Sequence, residues 1–178
     1  AVAMTYEATG NVAMKERGDD IVSTLAKCQA AHTANGEPGL LYPYDVRSFQ
    51  NLYDKAPSGN CQPICVPFYV VHKTLAGMLD QHTRAGNAQA LGVAAAMANW
   101  TRHSVEGMIS RWGINKWQMV LDTEWGGMNE GLLNLYALTS DAAVLATAKR
   151  FTPWRLTAPL AAGIDDRDGS HGPDGRNP

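Results

Sequence analysis

The residues best suited to chemistry form one short segment, from Glu124 to Glu130. Two carboxylates and Asn129 flank the Gly126–Gly127 pair, where the backbone can turn sharply and approach a ligand closely. If a helix begins here, Asn129 and Glu130 fall in its first turn, where unpaired N–H groups and the positive end of the helix dipole collect. Carboxylate and amide groups there could hold the hydroxyl groups of a sugar. The same residue types also suit helix capping, so both interpretations stay open.

His72 is the second candidate, on the apolar face of a helix predicted over 67–84. Phe68 and Leu75 share that face at helical spacing, and Pro67 stands where the first residue of a helix tolerates proline. A histidine in this position could line a binding pocket. It could also be a buried core residue satisfied by hydrogen bonds, and its position alone does not decide between the two.

Aromatic residues are concentrated in two connecting segments near these candidates. They are Tyr42, Tyr44, Phe49 and Tyr53 in the first segment, and Trp112, Trp117 and Trp125 in the second. Flat rings suit the faces of sugars, whose C–H groups stack on them, so these residues could border a sugar site. The alternative is that the rings pack the connections onto the helices.

The elements that must position these residues are helices, arranged as three hairpins. A short turn of one kind occurs at 9–11, 85–87 and 139–141, where Gly or a small polar residue ends one helix and Asn or Asp caps the next. Apolar residues with a helical period flank these turns, and no segment alternates with a period of two for long. The sequence therefore predicts an all-α fold.

The connections between the hairpins predict how the hairpins are arranged. They are long, at 33–66, 106–126 and 152–178, whereas the turns inside the hairpins are short. This layout is typical of an α/α toroid, whose inner helices begin at the long-connection end, where the functional site lies. We predict inner helices at 67–84 and 127–138, and outer helices at 12–32, 88–104 and 142–151.

Composition narrows the classes of function. The 178 residues include 17 acidic and 15 basic side chains, so the net charge of −2 argues against nucleic-acid binding by bulk positive charge. No apolar stretch approaches the roughly 20 residues of a membrane span. Residues 1–162 would form one partial α/α-barrel domain, and 163–178, without apolar periodicity, a loop or disordered tail. Three cysteines, Cys28, Cys61 and Cys65, are too few for a disulfide scaffold; the last two could form a bridge, stay thiols or contribute to a metal site.

Several segments, taken in order, resemble the signatures of one enzyme family. They are 66–80 (Val-Pro-Phe-Tyr-Val-Val-His-Lys-Thr-Leu-Ala-Gly-Met-Leu-Asp), 85–91 (Ala-Gly-Asn-Ala-Gln-Ala-Leu), 123–130 (Thr-Glu-Trp-Gly-Gly-Met-Asn-Glu) with 135–139 (Leu-Tyr-Ala-Leu-Thr), and 158–160 (Ala-Pro-Leu) with Gly163 and Asp165. The family is that of the β-L-arabinofuranosidases, glycoside hydrolase family 127 and its sister family 146. The resemblance extends from Tyr6 to Asp168 and implies that the hairpins form part of an (α/α)6 toroid.

The resemblance also implies which residues bind substrate. The expected residues are His72 in the sugar pocket, Glu124, Trp125, Asn129 and Glu130 in a motif at its rim, and His171. His171 is similar to a histidine in the family's next motif, although the following residues, 172–175, depart from the pattern that usually follows.

Family members release arabinofuranose from plant-type glycans with retention, using a cysteine nucleophile and a glutamate, with zinc held by a glutamate and cysteines. The resemblance places these groups further along the sequence than residue 178, and Cys28, Cys61 and Cys65 do not match them. We therefore expect a segment of a glycoside hydrolase that is inactive alone, with no catalytic residue and no cofactor of its own, zinc being implied only for the full-length family. The alternative is a non-catalytic carbohydrate-binding or assembly module that reuses the hairpins.

Expected partners follow from the same prediction. An incomplete toroid exposes the apolar inner faces of its helices, and exposed apolar patches above a few hundred Å² usually mark an interface. We expect these faces to be covered by the rest of the barrel, a partner chain, self-association or the tail. The expected ligand is an arabinose-containing glycan, and neither nucleic acid nor a membrane is expected. The resemblance favours a secreted or extracellular location, which the residues themselves do not determine.

Overall fold

A computed structural model describes residues 1–55, 66–124 and 127–164, and within these ranges the chain is helical. The helices are α1 (Val2–Thr9), α2 (Val12–Ala34), α3 (Arg47–Lys55), α4 (Pro67–Ala85), α5 (Ala88–Trp112), α6 (Ile114–Glu124), α7 (Met128–Thr139), α8 (Ala142–Arg150) and α9 (Trp154–Ala161). The prediction of an all-α fold is confirmed. Of the helices described, none combines the length and the apolar character that a membrane crossing requires.

The three predicted hairpin turns form as expected, between α1 and α2, α4 and α5, and α7 and α8. In each turn a residue with left-handed backbone ends one helix, and the side chain of the next residue accepts a backbone N–H of the following helix. These pairs are Gly10–Asn11, Gly86–Asn87 and Ser140–Asp141. Asn87 does more than cap, because its Nδ2 donates to Asp19 Oδ1 at 2.6 Å and ties the second hairpin to α2.

The hairpins stack into two layers. The first helices of the hairpins, α1, α4 and α7, contact one another in succession, and so do the second helices, α2, α5 and α8. This arrangement is consistent with an arc of an α/α toroid. We call the layer of α1, α4 and α7 the inner layer, and that it faces the centre of the toroid stays a prediction. The helical-hairpin fold class is therefore confirmed.

The connections between hairpins differ from the prediction, because each contains a helix where a loop was expected. α5 continues to Trp112 since Met97, Thr101, Val105 and Met108 keep one buried face at helical spacing. Gly113, at φ +85°, then breaks the helix, and α6 begins. Helices α3 and α6 pack the first two connections onto the hairpins, whereas α9 contacts α6 and buries none of its residues.

An aromatic cluster centred on Phe68 forms the core beneath the start of α4. Its ring centroid lies 5.1 Å from that of Phe49, 5.3 Å from Phe151 and 5.7 Å from Trp117, and all four residues are at most 3% exposed. The packing interpretation of the connecting aromatics is therefore confirmed for Phe49 and Trp117. It is confirmed as well for Tyr42 and Tyr53, which are also buried, whereas Tyr44 is half exposed and Trp112 half-buried.

The inner layer carries exposed apolar side chains on each of its helices. They are Met4 on α1, Tyr69 on α4, and Leu133 and Leu138 on α7, each 43–50% exposed. Val12 and Ile21 on α2 are exposed to a similar extent, so the expected apolar inner face stays a prediction. What covers these faces stays a prediction.

Candidate functional site

Three helix ends meet at one place in the inner layer. α6 ends at Glu124, α7 begins at Met128 after Gly127, and α4 begins at Pro67. Glu124 contacts Phe68 and Gly127 contacts His72, so the end of α6 and the start of α7 lie against the first turns of α4. Residues from 66–80 and 123–130, which are distant in sequence, are thereby brought together.

Glu124 caps α4 from another helix. Its side chain is only 2% exposed, and its Oε2 accepts the backbone N–H of Phe68 at 2.6 Å. α4 has no side-chain cap of its own, since the residue before it is Val66, and Pro67 has no N–H to donate. A carboxyl group at this helix end satisfies an N–H that would otherwise have no partner, and it faces the positive end of the helix dipole.

The protonation of Glu124 is unusual. Burial raises the pKa of this carboxyl to about 8, although the backbone N–H groups of Phe68 and Tyr69 oppose the shift. The carboxyl is therefore mainly neutral at pH 7. Its second oxygen, Oε1, is buried without a hydrogen-bond partner in the described part of the chain.

His72 lies one turn further along α4 and packs on Gly127. Gly127 has φ +82°, and a Cβ atom added to it would overlap the His72 ring, so this contact requires glycine for both reasons. Burial lowers the pKa of His72 and Lys73 adds to this, whereas the charge of Glu130 acts in the opposite sense. The ring is therefore neutral at neutral pH, and its Nδ1 finds no partner among the residues described.

Asn129 and Glu130 lie in the first turn of α7, two and three residues after Gly127, on which His72 packs. Asn129 is half-buried and Glu130 is exposed, and neither side chain makes a hydrogen bond within 1–55, 66–124 and 127–164. The N-cap position of α7 is Gly127, without a side-chain cap. Neither side chain therefore caps α7 by a hydrogen bond. Glu130 still lies in the first turn, where a negative charge is favourable.

The structure thus brings together four of the predicted site residues: His72, Glu124, Asn129 and Glu130. Trp125 and His171 lie outside the described residues. Only Asn129, Glu130 and half-buried His72 are accessible to a ligand. Glu124 points away from solvent, into the amides of α4.

Zinc, which the family resemblance implies for the full-length proteins, does not fit the residues described. Cys28 is exposed on α2, and Cys61 and Cys65 lie outside the described ranges. Elsewhere in those ranges no group of three or more histidine, cysteine, aspartate or glutamate side chains is placed to hold a metal ion. The chemistry of this site is that of a neutral imidazole, an amide and an exposed carboxylate, a set suited to hydrogen-bonding hydroxyl groups.

The hydrogen bond by which Glu124 caps α4 was not predicted from the sequence. One signal could have found it: a helix that starts with Val66 and Pro67 has no Ser, Thr, Asp or Asn to cap it, and so needs an acceptor from elsewhere.

Comparison with known proteins agrees with the motifs in this site. A family model described as "Beta-L-arabinofuranosidase, GH127 catalytic domain" matches residues 1–173. A search of curated proteins finds no match.

Proposed function

Because this chain belongs to the glycoside hydrolase family 127 of β-L-arabinofuranosidase catalytic domains, we propose that it binds an arabinofuranose-containing glycan where α4, α6 and α7 meet. One observation carries the proposal: the neutral ring of His72 is seated on Gly127, which Asn129 and Glu130 follow in the first turn of α7, and the charge of Glu130 acts on the ring. These groups offer both donors and acceptors at the site where the family motifs converge.

The sugar would contact the accessible groups of this site. Because Nδ1 of His72 is buried, its imidazole can offer the sugar only Nε2, whereas the exposed carboxylate of Glu130 can accept two hydroxyl groups. Glu130, at the start of α7, can accept such hydroxyls without burying its charge, because it is exposed. Trp125 and His171 are proposed to complete the site.

Glu124 would act by holding the site together rather than by touching the sugar. Its carboxyl joins the end of α6 to Phe68, four residues before His72, and Gly127 follows Glu124 by three residues. The hydrogen bond from the Phe68 N–H to the Glu124 carboxyl and the contact of His72 with Gly127 therefore hold the end of α6 and the start of α7 against the start of α4. Together these two contacts would set the position of the imidazole relative to Glu130.

Binding can be tested on the 178-residue chain by titrating it with methyl arabinofuranoside and following the amide signals of Gly127 and Gly131 by NMR. We expect saturable shifts with a dissociation constant in the millimolar range, typical of one small ligand at an open site. His72→Ala should weaken this binding at least tenfold. The matched variant His103→Ala, on the outer face of α5, should leave the Gly127 response unchanged; equal affinity in wild type and His72→Ala would contradict the proposal.

We also propose that the described residues do not hydrolyse the glycosidic bond. Retaining hydrolysis needs two carboxyl groups about 5–5.5 Å apart on either side of the bond. Glu130 is accessible, but the carboxyl of Glu124 is buried against Phe68, so the two do not flank a common ligand space. This observation is what supports a binding role, whether within a hydrolase or in a non-catalytic module.

Incubation of the chain with an aryl arabinofuranoside, with and without zinc, checks this point. We expect no release of the aryl group above the uncatalysed rate. Turnover that disappears in Glu130→Gln or Glu124→Gln, but not in Glu16→Gln on the exposed surface of α2, would establish a carboxylate-pair enzyme instead.

A further inference from the structure

The exposed ring of Tyr69 borders the candidate site. Tyr69 lies three residues before His72 on α4, and the centroids of the two rings are 6.0 Å apart, with 69° between their planes. The side chain of Tyr69 is 50% exposed, whereas that of its neighbour Phe68 is fully buried. A half-exposed aromatic ring next to the imidazole of His72 is placed to contact the same glycan.

Lys73 holds the ring of Tyr69 from one side. Its Nζ lies over the ring, 5.0 Å from the centroid, and the two residues are neighbours on the helix because they are four positions apart. Among residues 1–55, 66–124 and 127–164, no carboxylate forms an ion pair with Lys73, and no group forms a hydrogen bond with the Tyr69 hydroxyl. Within these ranges, both polar groups are therefore available to a ligand.

The helix turn that carries Tyr69 is held by other elements. The N–H groups of Phe68 and Tyr69 both face the buried carboxyl of Glu124, and His72 packs on Gly127. Because these contacts fix the backbone beneath the ring, binding a ligand there would cost little backbone order.

Open space continues along α4 beyond Lys73. A cleft of about 320 Å³ lies between α1, α2 and α4, and its α4 side includes Lys73, Thr74 and Gly77. Tyr69, Lys73 and Gly77 follow one another at intervals of four residues, so they form one stripe on the helix. This stripe leads from the candidate site towards a space of the size that small ligands occupy.

We propose that Tyr69 and Lys73 bind the sugar that adjoins the arabinofuranose, and that Tyr69 thereby determines which glycans the site prefers. The C–H groups of this sugar would lie on the exposed part of the Tyr69 ring. Its hydroxyl oxygens would accept from the Lys73 ammonium and the Tyr69 hydroxyl. The inference rests on the proposed function, because it takes the position of the arabinofuranose from His72.

A comparison of a monosaccharide with a disaccharide tests this inference. We would titrate the 178-residue chain with methyl arabinofuranoside and with the methyl glycoside of a disaccharide of two arabinofuranose units, following the amide signal of Gly127 by NMR. The disaccharide should bind about fivefold more tightly, an effect typical of one added aromatic contact. In Tyr69→Ala the two ligands should bind with equal affinity, whereas Tyr69→Phe should retain most of the preference. The control variant Leu138→Ala, which removes an exposed apolar side chain at the other end of α7, should match wild type.

The same titrations separate this inference from the proposed function. If Tyr69→Ala weakens the binding of both ligands by the same factor, Tyr69 acts only by positioning His72, and the inference is wrong. It is also wrong if wild type binds the two ligands with the same affinity, an outcome that leaves the proposed function standing. If Gly127 responds to neither ligand, the proposed function is wrong and the inference fails with it.

Discussion

The free energy of unfolding of this protein is expected to fall by about 4–5 kcal/mol between pH 4.5 and pH 8 because of Glu124 alone. The pKa of this carboxyl is raised from 4.5 to about 8 in the folded state. In that window the unfolded chain has released the proton and the folded protein still holds it. The contribution of Glu124 to stability is therefore greatest below pH 4.5, decreases as the pH rises, and levels off above pH 8.

The variant Glu124→Gln tests this expectation, because it replaces the neutral carboxyl with a neutral amide of similar shape. The free energy of unfolding of the variant should fall much less between pH 4.5 and pH 8. At pH 8.5 the variant should therefore be more stable than wild type. Urea unfolding at pH 5, 7 and 8.5 measures the difference, with Glu130→Gln as an exposed control that should follow wild type. A wild-type stability that does not change relative to Glu124→Gln over this range would contradict a buried, protonated Glu124.

The other titratable groups near Glu124 do not produce this effect. The pKa values of Tyr42 and Tyr53 are raised above 10 by burial, so both stay neutral in this range. His72 acts in the opposite sense, because its lowered pKa makes stability rise with pH through the usual histidine range. Since His72 is present in both proteins, the difference between wild type and Glu124→Gln isolates the carboxyl.

Gly127→Ala is expected to destabilise the fold by about 2–4 kcal/mol and to abolish sugar binding at the candidate site. At φ +82° an alanine costs about 1 kcal/mol in backbone strain, and displacing the overlapped His72 ring costs roughly 1–3 kcal/mol more. The displaced imidazole would no longer lie beside Glu130. Urea unfolding and the methyl arabinofuranoside titration measure the two effects.

Gly86→Ala is the matched control for this change. Gly86 has φ +71°, but a Cβ atom there meets nothing within 4 Å, so only the backbone strain of about 1 kcal/mol is expected. The difference between the two variants is then the cost of moving His72. If Gly127→Ala binds the sugar as Gly86→Ala does, the seating of His72 on Gly127 has no part in recognition.

Local features of this protein could be predicted from its sequence because their hydrogen bonds are local. The turn at Gly86 and Asn87 forms from a left-handed residue and a side chain that caps the next helix three residues on. Segments whose apolar residues recur with a helical period, such as that of α4, could be predicted as helices because the backbone hydrogen bonds of a helix are also local. These units, repeated three times with long connections, also predicted the two layers of the arc.

The packing of the connections and the contacts within the candidate site depend on the tertiary structure. The burial of Trp117 and Phe49, and the helices around them, depends on the apolar surface that the hairpins present, and no single segment contains that information. His72 on Gly127 and Glu124 on Phe68 join residues 55 and 56 positions apart. The raised pKa of Glu124 exists only because folding removes its carboxyl from water, and a sequence records the residue but not its solvation.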